Sequence, residues 1–199
     1  MLTLHQMQIS GNCYKVRLCA RQLGIPLALK DYGLKDGSTR SPEFLAKNPN
    51  GRVPTLELED GTCLPESNAI LWYLAEGTPL VPDSKLARAQ VLQWMFFEQY
   101  SHEPNIATSR YIMRYLGNPP EKKEALAARV APGYAALGVM EVHLKSRSWF
   151  ASENYSIADI ALYAYTHCAG EGGFDLGRFP AIRAWIARVE SQPLYLPMG

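Results

Sequence analysis

Ser10, Asn12 and Cys13 carry the residue types best suited to chemistry near the start of the chain. They lie in "SGNCYKVR", after a short apolar segment, "MLTLHQMQI", and before an apolar-periodic one, "VRLCARQLG". Such a turn can hold an anion, present a thiol, or simply cap the helix. Glu66 and Ser67 open a second helical run, where a hydroxyl and free amides suit an anion equally well. Lys35 and Arg52 are cations in the same half, Arg52 standing just before Val53 and Pro54.

The elements that must position these residues change rhythm along the chain. "LTLH" and "PLALK" read as strands, and Val16, Cys19, Ala20 and Leu23 recur between them at helical spacing until Gly24 and Pro26. That unit is most economically a parallel crossover. "SPEFLAK" predicts a short helix capped by Ser41 with Pro42 at its first position. "VPTLELEDGTCLP" predicts a hairpin turning at Asp60-Gly61, and "SNAILWYLAEG" a closing helix stopped by Gly77. The order βαβαββα over residues 1–77 is that of an α/β, thioredoxin-like domain.

"GTPLVPDSK" reads as a linker over 78–85, and everything from 86 to 199 is helical in pattern. A long helix or kinked pair is expected over about 85–116, and another over about 120–145. "YSIADI" predicts a capping box, Ser156 with Asp159, stapled by Tyr155 against Ile160.

Composition narrows the function classes. Of 199 residues, 47% are hydrophobic and 20% charged, with a net charge of +1, so there is no electrostatic footprint for nucleic acid or an anionic membrane. No apolar stretch approaches the roughly 20 residues of a membrane helix. The start lacks the pattern of a signal peptide, and the four cysteines, Cys13, Cys19, Cys63 and Cys168, have neither metal-site spacing nor that of a secreted disulfide framework. A reducing cytoplasm is the expected home.

Taken together, the two halves resemble the soluble glutathione S-transferases. "SGNCYKVR" resembles the active-site turn of the serine-type members, related to the beta, nu and tau classes. "NPNGRVP" at 48–54 is similar to the family's segment before its cis-proline, "ESNAILWYLAE" to its glutamate–serine helix, and "SIADI" to its helical-domain capping box.

The resemblance implies roles. Glutathione has two carboxylates, one ammonium and a thiol of pKa near 8.5, of which only a few per cent is thiolate at neutral pH. Ser10 would stabilise the thiolate, with Asn12 a second donor. A cis Pro54 would expose the backbone of Val53 to pair with the cysteinyl unit. Ser67 would take the γ-glutamyl carboxylate, Glu66 its ammonium, and Lys35 or Arg52 the glycine carboxylate. Tyr14, His102, Asn105, Ile106, Tyr111 and His167 are candidates for the electrophile pocket, which in this family lies between the domains. "HEPNI" is no zinc motif, and no metal or resident cofactor is implied, glutathione being a co-substrate.

Glutaredoxin-like proteins carry Cys-x-x-Cys in this turn. Here Ser10 replaces the attacking cysteine, which disfavours dithiol chemistry and leaves Cys13 as a small apolar residue. The leading reading is conjugation of glutathione to small electrophiles. A redox reading, a glutathione-dependent disulfide-bond or peroxide reductase, needs no protein cysteine. A non-enzymatic interaction module is the third. The resemblance also implies a homodimer.

Overall fold

The computed structural model describes residues 1–33 and 36–198. β1 (Leu2–Gln6) and β2 (Leu27–Asp31) pair in parallel, with Leu4 opposite Leu29, and α1 (Gly11–Gln22) makes the crossover a parallel pair requires. α1 starts where it does because Ser10 is extended and its Oγ accepts the Cys13 amide at 3.3 Å. It stops before Gly24, whose φ of +68° is the left-handed conformation that ends helices.

α2 (Pro42–Lys47) is capped by Ser41, which accepts the Phe44 amide at 3.2 Å. Phe44 is buried, its ring set edge-on to Tyr32 with centroids 4.7 Å apart. β3 (Thr55–Glu57) and β4 (Cys63–Pro65) are antiparallel, and Gly61 supplies the φ of +87° that their turn demands. The sheet order is β2-β1-β3-β4, and α3 (Ser67–Ala75) packs on α1. Leu4, Val16, Leu56, Ile70 and Leu71 are wholly buried and form the core of this half. This is the βαβαββα thioredoxin-like order read from the sequence.

The chain divides into two compact units, one of residues 1–78 joined by the stretch from Pro193 onward, the other of Pro79–Gln192. That final stretch, expected in the helical half, groups with the first unit. One physical reason is the buried Tyr14 hydroxyl, which needs an acceptor and donates to the Leu196 carbonyl at 2.6 Å.

The second unit is helical. α4 (Lys85–Phe97) passes through a π turn at Glu98–His102 into α5 (Glu103–Arg110), and a second π turn covers Tyr111–Tyr115. Pro104, in the first turn of α5, has no N–H for the i→i−4 ladder, so the expected long element widens next to it. α6 (Lys123–Leu144) packs against α5 and α8 (Pro180–Glu190), and α7 (Ile157–Thr166), every residue of which is buried, packs against α4, α5 and α8.

The capping box of α7 is present. The Asp159 carboxyl accepts Ser156 N–H at 3.0 Å, Trp185 Nε1–H at 2.9 Å and Phe150 N–H at 3.3 Å. Complete burial nevertheless pushes it up to about 7. The Tyr155 ring ahead of the box meets Trp149 edge-on, 5.1 Å between centroids.

Candidate functional site

Strand register brings the candidate residues of the first unit together. His5 of β1 pairs with Thr55 of β3, and Thr55 pairs with Pro65 of β4. The chain therefore leaves β1, enters β3 and leaves β4 at one end of the sheet. The turn after β1, the Val53–Pro54 pair and Glu66–Ser67 all meet there.

In the turn, the Ser10 hydroxyl caps α1 through an oxygen lone pair, which leaves its proton available to donate. Asn12 is half-buried, and its Oδ1 accepts the Ser67 hydroxyl at 3.3 Å, joining the starts of α1 and α3. Cys13 has no exposed surface. Its sulfur accepts the Met7 amide at 3.4 Å, and burial pushes the thiol up from its ordinary value. Behind the turn, Arg17 donates to the Gln6 side chain and, at 2.9 Å, to the Gln8 carbonyl, while Gln6 donates to Asp31 at 2.8 Å. Desolvation pushes the Arg17 guanidinium down.

The Val53–Pro54 peptide bond is cis. Asn48, 3% exposed, holds the loop before it by donating to the Arg52 carbonyl at 2.8 Å and to Thr55 Oγ1 at 3.1 Å. Its own Oδ1 accepts the Asn50 amide at 3.1 Å. The Arg52 side chain is exposed. Lys35 lies outside the described residues.

Glu66 is exposed and sits at the N-cap of α3 with φ +71° and ψ +113°, outside the regions an L-residue favours, and its side chain makes no cap bond. Such a conformation costs on the order of 1–3 kcal/mol and persists only where the surroundings enforce it. Ser67, 5% exposed, begins α3. Behind it lies Lys15, wholly buried, with Nζ 3.4 Å from Ser67 Oγ.

The residues considered for the electrophile pocket fall into two groups. Tyr14, His102 and Ile106 have no exposed surface. His102 Nε2 donates to Thr166 Oγ1 at 2.9 Å, because the Thr166 proton is committed to the Leu162 carbonyl at 2.6 Å. Asn105, Tyr111 and His167 reach the surface in part. Asn105 donates to the Ser101 carbonyl at 2.7 Å. His167 stacks on Tyr163, donates through Nδ1 to the Tyr163 carbonyl at 2.9 Å, and is pushed down by burial.

Sequence reasoning missed Lys15 and Asn48. Lys15 stands between Tyr14 and Val16 in a helix buried nearly all round, and only tertiary packing reveals where its ammonium goes. Asn48 could have been suspected, since it ends α2 and opens a Pro/Gly-rich loop that needs side-chain anchors. Among the described residues no group of three or more His, Cys, Asp or Glu could hold a metal, and no helix is long and apolar enough to cross a membrane.

The geometry can be set beside known proteins. Residues 9–76 match the family model "Glutathione S-transferase, N-terminal domain", and residues 105–193 match "Glutathione S-transferase, C-terminal domain". A glutathione S-transferase structure from Pseudomonas fluorescens is 53% identical with a TM-score of 0.98, over 99% of this chain and 98% of that one. A second family member from Pseudomonas fluorescens, solved with two glutathione bound, is 26% identical with a TM-score of 0.84, over 97% and 89%. The disulfide-bond oxidoreductase YfcG of Escherichia coli is 30% identical over 92% of this chain and 87% of its own. The chain belongs to the glutathione S-transferase family.

Proposed function

We propose that this glutathione transferase holds its co-substrate at the meeting of the three loops, with Ser10 as the donor that keeps the sulfur anionic. The supporting observation is the turn itself. The Ser10 hydroxyl accepts from Cys13 N–H, so its own proton can be given to a sulfur above the mouth of α1. The amides of the helix start favour the same charge. Asn12 is the second donor. The cis bond before Pro54 presents the Val53 backbone to the cysteinyl unit. Ser67 and the first turn of α3 take the γ-glutamyl carboxylate, Glu66 its ammonium, and Arg52 with Lys35 the glycine carboxylate. That glutathione is bound in a structure similar to this chain supports the reading.

The bound thiolate, its proton having gone to solvent, then attacks an electrophilic carbon. With an activated aryl halide a C–S bond forms, the carbon–halogen bond breaks and halide leaves. With an epoxide the C–S bond forms as the C–O bond breaks, and the oxygen takes up a proton. Ser10→Ala should lower turnover about a hundredfold while changing glutathione affinity by less than about threefold. An unchanged rate would mean that another group activates the sulfur. For the electrophile we keep Asn105, Tyr111 and His167, whose side chains reach the surface, and set aside the interior Tyr14, His102 and Ile106.

The buried state of Cys13 bears on a second activity. With Cys13 buried, a disulfide substrate at this turn would be attacked by glutathione itself, and a disulfide-bond oxidoreductase is among the similar chains. Turnover of a mixed disulfide that exceeds turnover of an aryl halide would make reduction the main reaction. For assembly we propose a homodimer. Leu92, Phe96 and Tyr100 follow one another at helical spacing along α4 and the π turn and are 38%, 70% and 89% exposed. Phe96→Glu should convert a dimer to a monomer in light scattering.

A further inference from the structure

The helix start that receives the γ-glutamyl carboxylate has a cation beneath it. Lys15 lies four residues along α1 from Gly11, with no exposed surface, and its Nζ is 3.4 Å from Ser67 Oγ. A lysine is almost never placed wholly inside a protein without a reason in charge or hydrogen bonding. Lys15 is among the buried residues of α1, and its ammonium lies within hydrogen-bonding distance of the hydroxyl that opens α3. The Ser67 hydroxyl in turn donates to Asn12 Oδ1 at 3.3 Å. A single chain of donors therefore runs from Lys15 through Ser67 to Asn12. With Lys15 donating to its oxygen, Ser67 has one proton to direct, and it can point that proton at Asn12 or at an arriving carboxylate, but not at both.

We propose that Lys15 is a positioning residue for the γ-glutamyl carboxylate and acts through Ser67. Its donation orients the hydroxyl, and its charge favours an anion at the α3 N-terminus from the side that water does not reach. When the carboxylate arrives, the Ser67 proton turns toward it and Asn12 Oδ1 is released. Occupancy of the γ-glutamyl end is thereby communicated to the turn that carries Ser10. This inference rests on the placement of glutathione proposed above.

The test uses glutathione and γ-aminobutyryl-cysteinyl-glycine, which is glutathione without the α-carboxylate. Lys15→Met should weaken glutathione binding about tenfold or more, leave binding of the analogue unchanged, and raise the pKa of bound glutathione sulfur, followed by its ultraviolet absorbance. An equal loss for both ligands, or no loss for either, would overturn the proposal, since a residue that only packs cannot sense the carboxylate. If Lys15→Met does not fold, wild-type protein labelled with 15N-lysine decides the matter. Glutathione should shift the Lys15 Nζ resonance and the analogue should not; equal shifts refute the role. If the wild-type enzyme binds both ligands equally, the placement of the carboxylate at α3 is itself wrong, and the role of Lys15 falls with it.

Discussion

The backbone amide of Met7 donates to the sulfur of Cys13 at 3.4 Å, so the sulfur in the turn ties the exit of β1 to the first turn of α1. A thiol so placed is a structural acceptor, and burial keeps it protonated. Iodoacetamide at neutral pH should label the half-buried Cys63 well before Cys13, with transferase activity intact. Peptide mapping by mass spectrometry checks the order, and activity lost in step with Cys13 labelling would contradict it. Cys13→Ala should cost about 1–2 kcal/mol, because it leaves the Met7 amide unmatched and a small void.

Ser10 caps α1 and, in the reaction proposed above, donates to the glutathione sulfur, two roles that substitution can separate. Ser10→Ala removes the cap and should cost about 1 kcal/mol in urea denaturation. Ser10→Asp keeps an acceptor for the Cys13 amide and suits the helix dipole, so stability should be retained. Its carboxylate has no proton to give and repels a thiolate. Turnover should therefore fall in the order Ser, Ala, Asp, while stability places Ser and Asp together above Ala.

Asp159 gives the stability a definite pH dependence. Its carboxyl is pushed up to about 7 in the folded chain from the ordinary 3.8. Between about pH 4 and 7 the unfolded chain has released this proton while the folded chain still holds it. Folding thus takes up a proton, and stability falls with rising pH through that window, by at most about 1.4 kcal/mol per unit. Asp159→Asn should flatten that part of the profile. It should also cost about 2 kcal/mol, since an amide nitrogen then faces donors such as Ser156 N–H. Urea midpoints measured across pH test both effects.

Two glycines of the second unit should respond oppositely to a methyl group. A Cβ at Gly172 would lie 2.9 Å from the Arg110 amide nitrogen and 3.2 Å from the Ile106 carbonyl oxygen, both backbone atoms of α5. Gly172→Ala should cost about 2 kcal/mol or more in thermal or urea unfolding. Gly138, within α6, would meet nothing within 4 Å. Gly138→Ala should add about 0.5–1 kcal/mol through helix propensity.

What could be read from the sequence follows the range of the forces involved. Ser10, Ser41 and the Ser156–Asp159 box are legible because a cap is satisfied within three residues. The hairpin at Asp60-Gly61 is legible because its turn needs a left-handed residue. The cis bond before Pro54 was accessible only through resemblance, since nothing local demands it. Lys15 beneath Ser67 and Trp185 against Asp159 were invisible, being separated by 52 and 26 residues along the chain. The π turns have no local mark in the sequence, because each accommodates one extra residue with neither Gly nor Pro among its own positions.

Tyr14 and Leu196 meet across 182 residues. A ribosome making this chain in order would release the entire helical unit before the residues that complete the first unit emerge. Early in synthesis the first unit would thus stand without the Leu196 carbonyl that accepts from the Tyr14 hydroxyl. That hydrogen bond would form only after the second half is already available to fold.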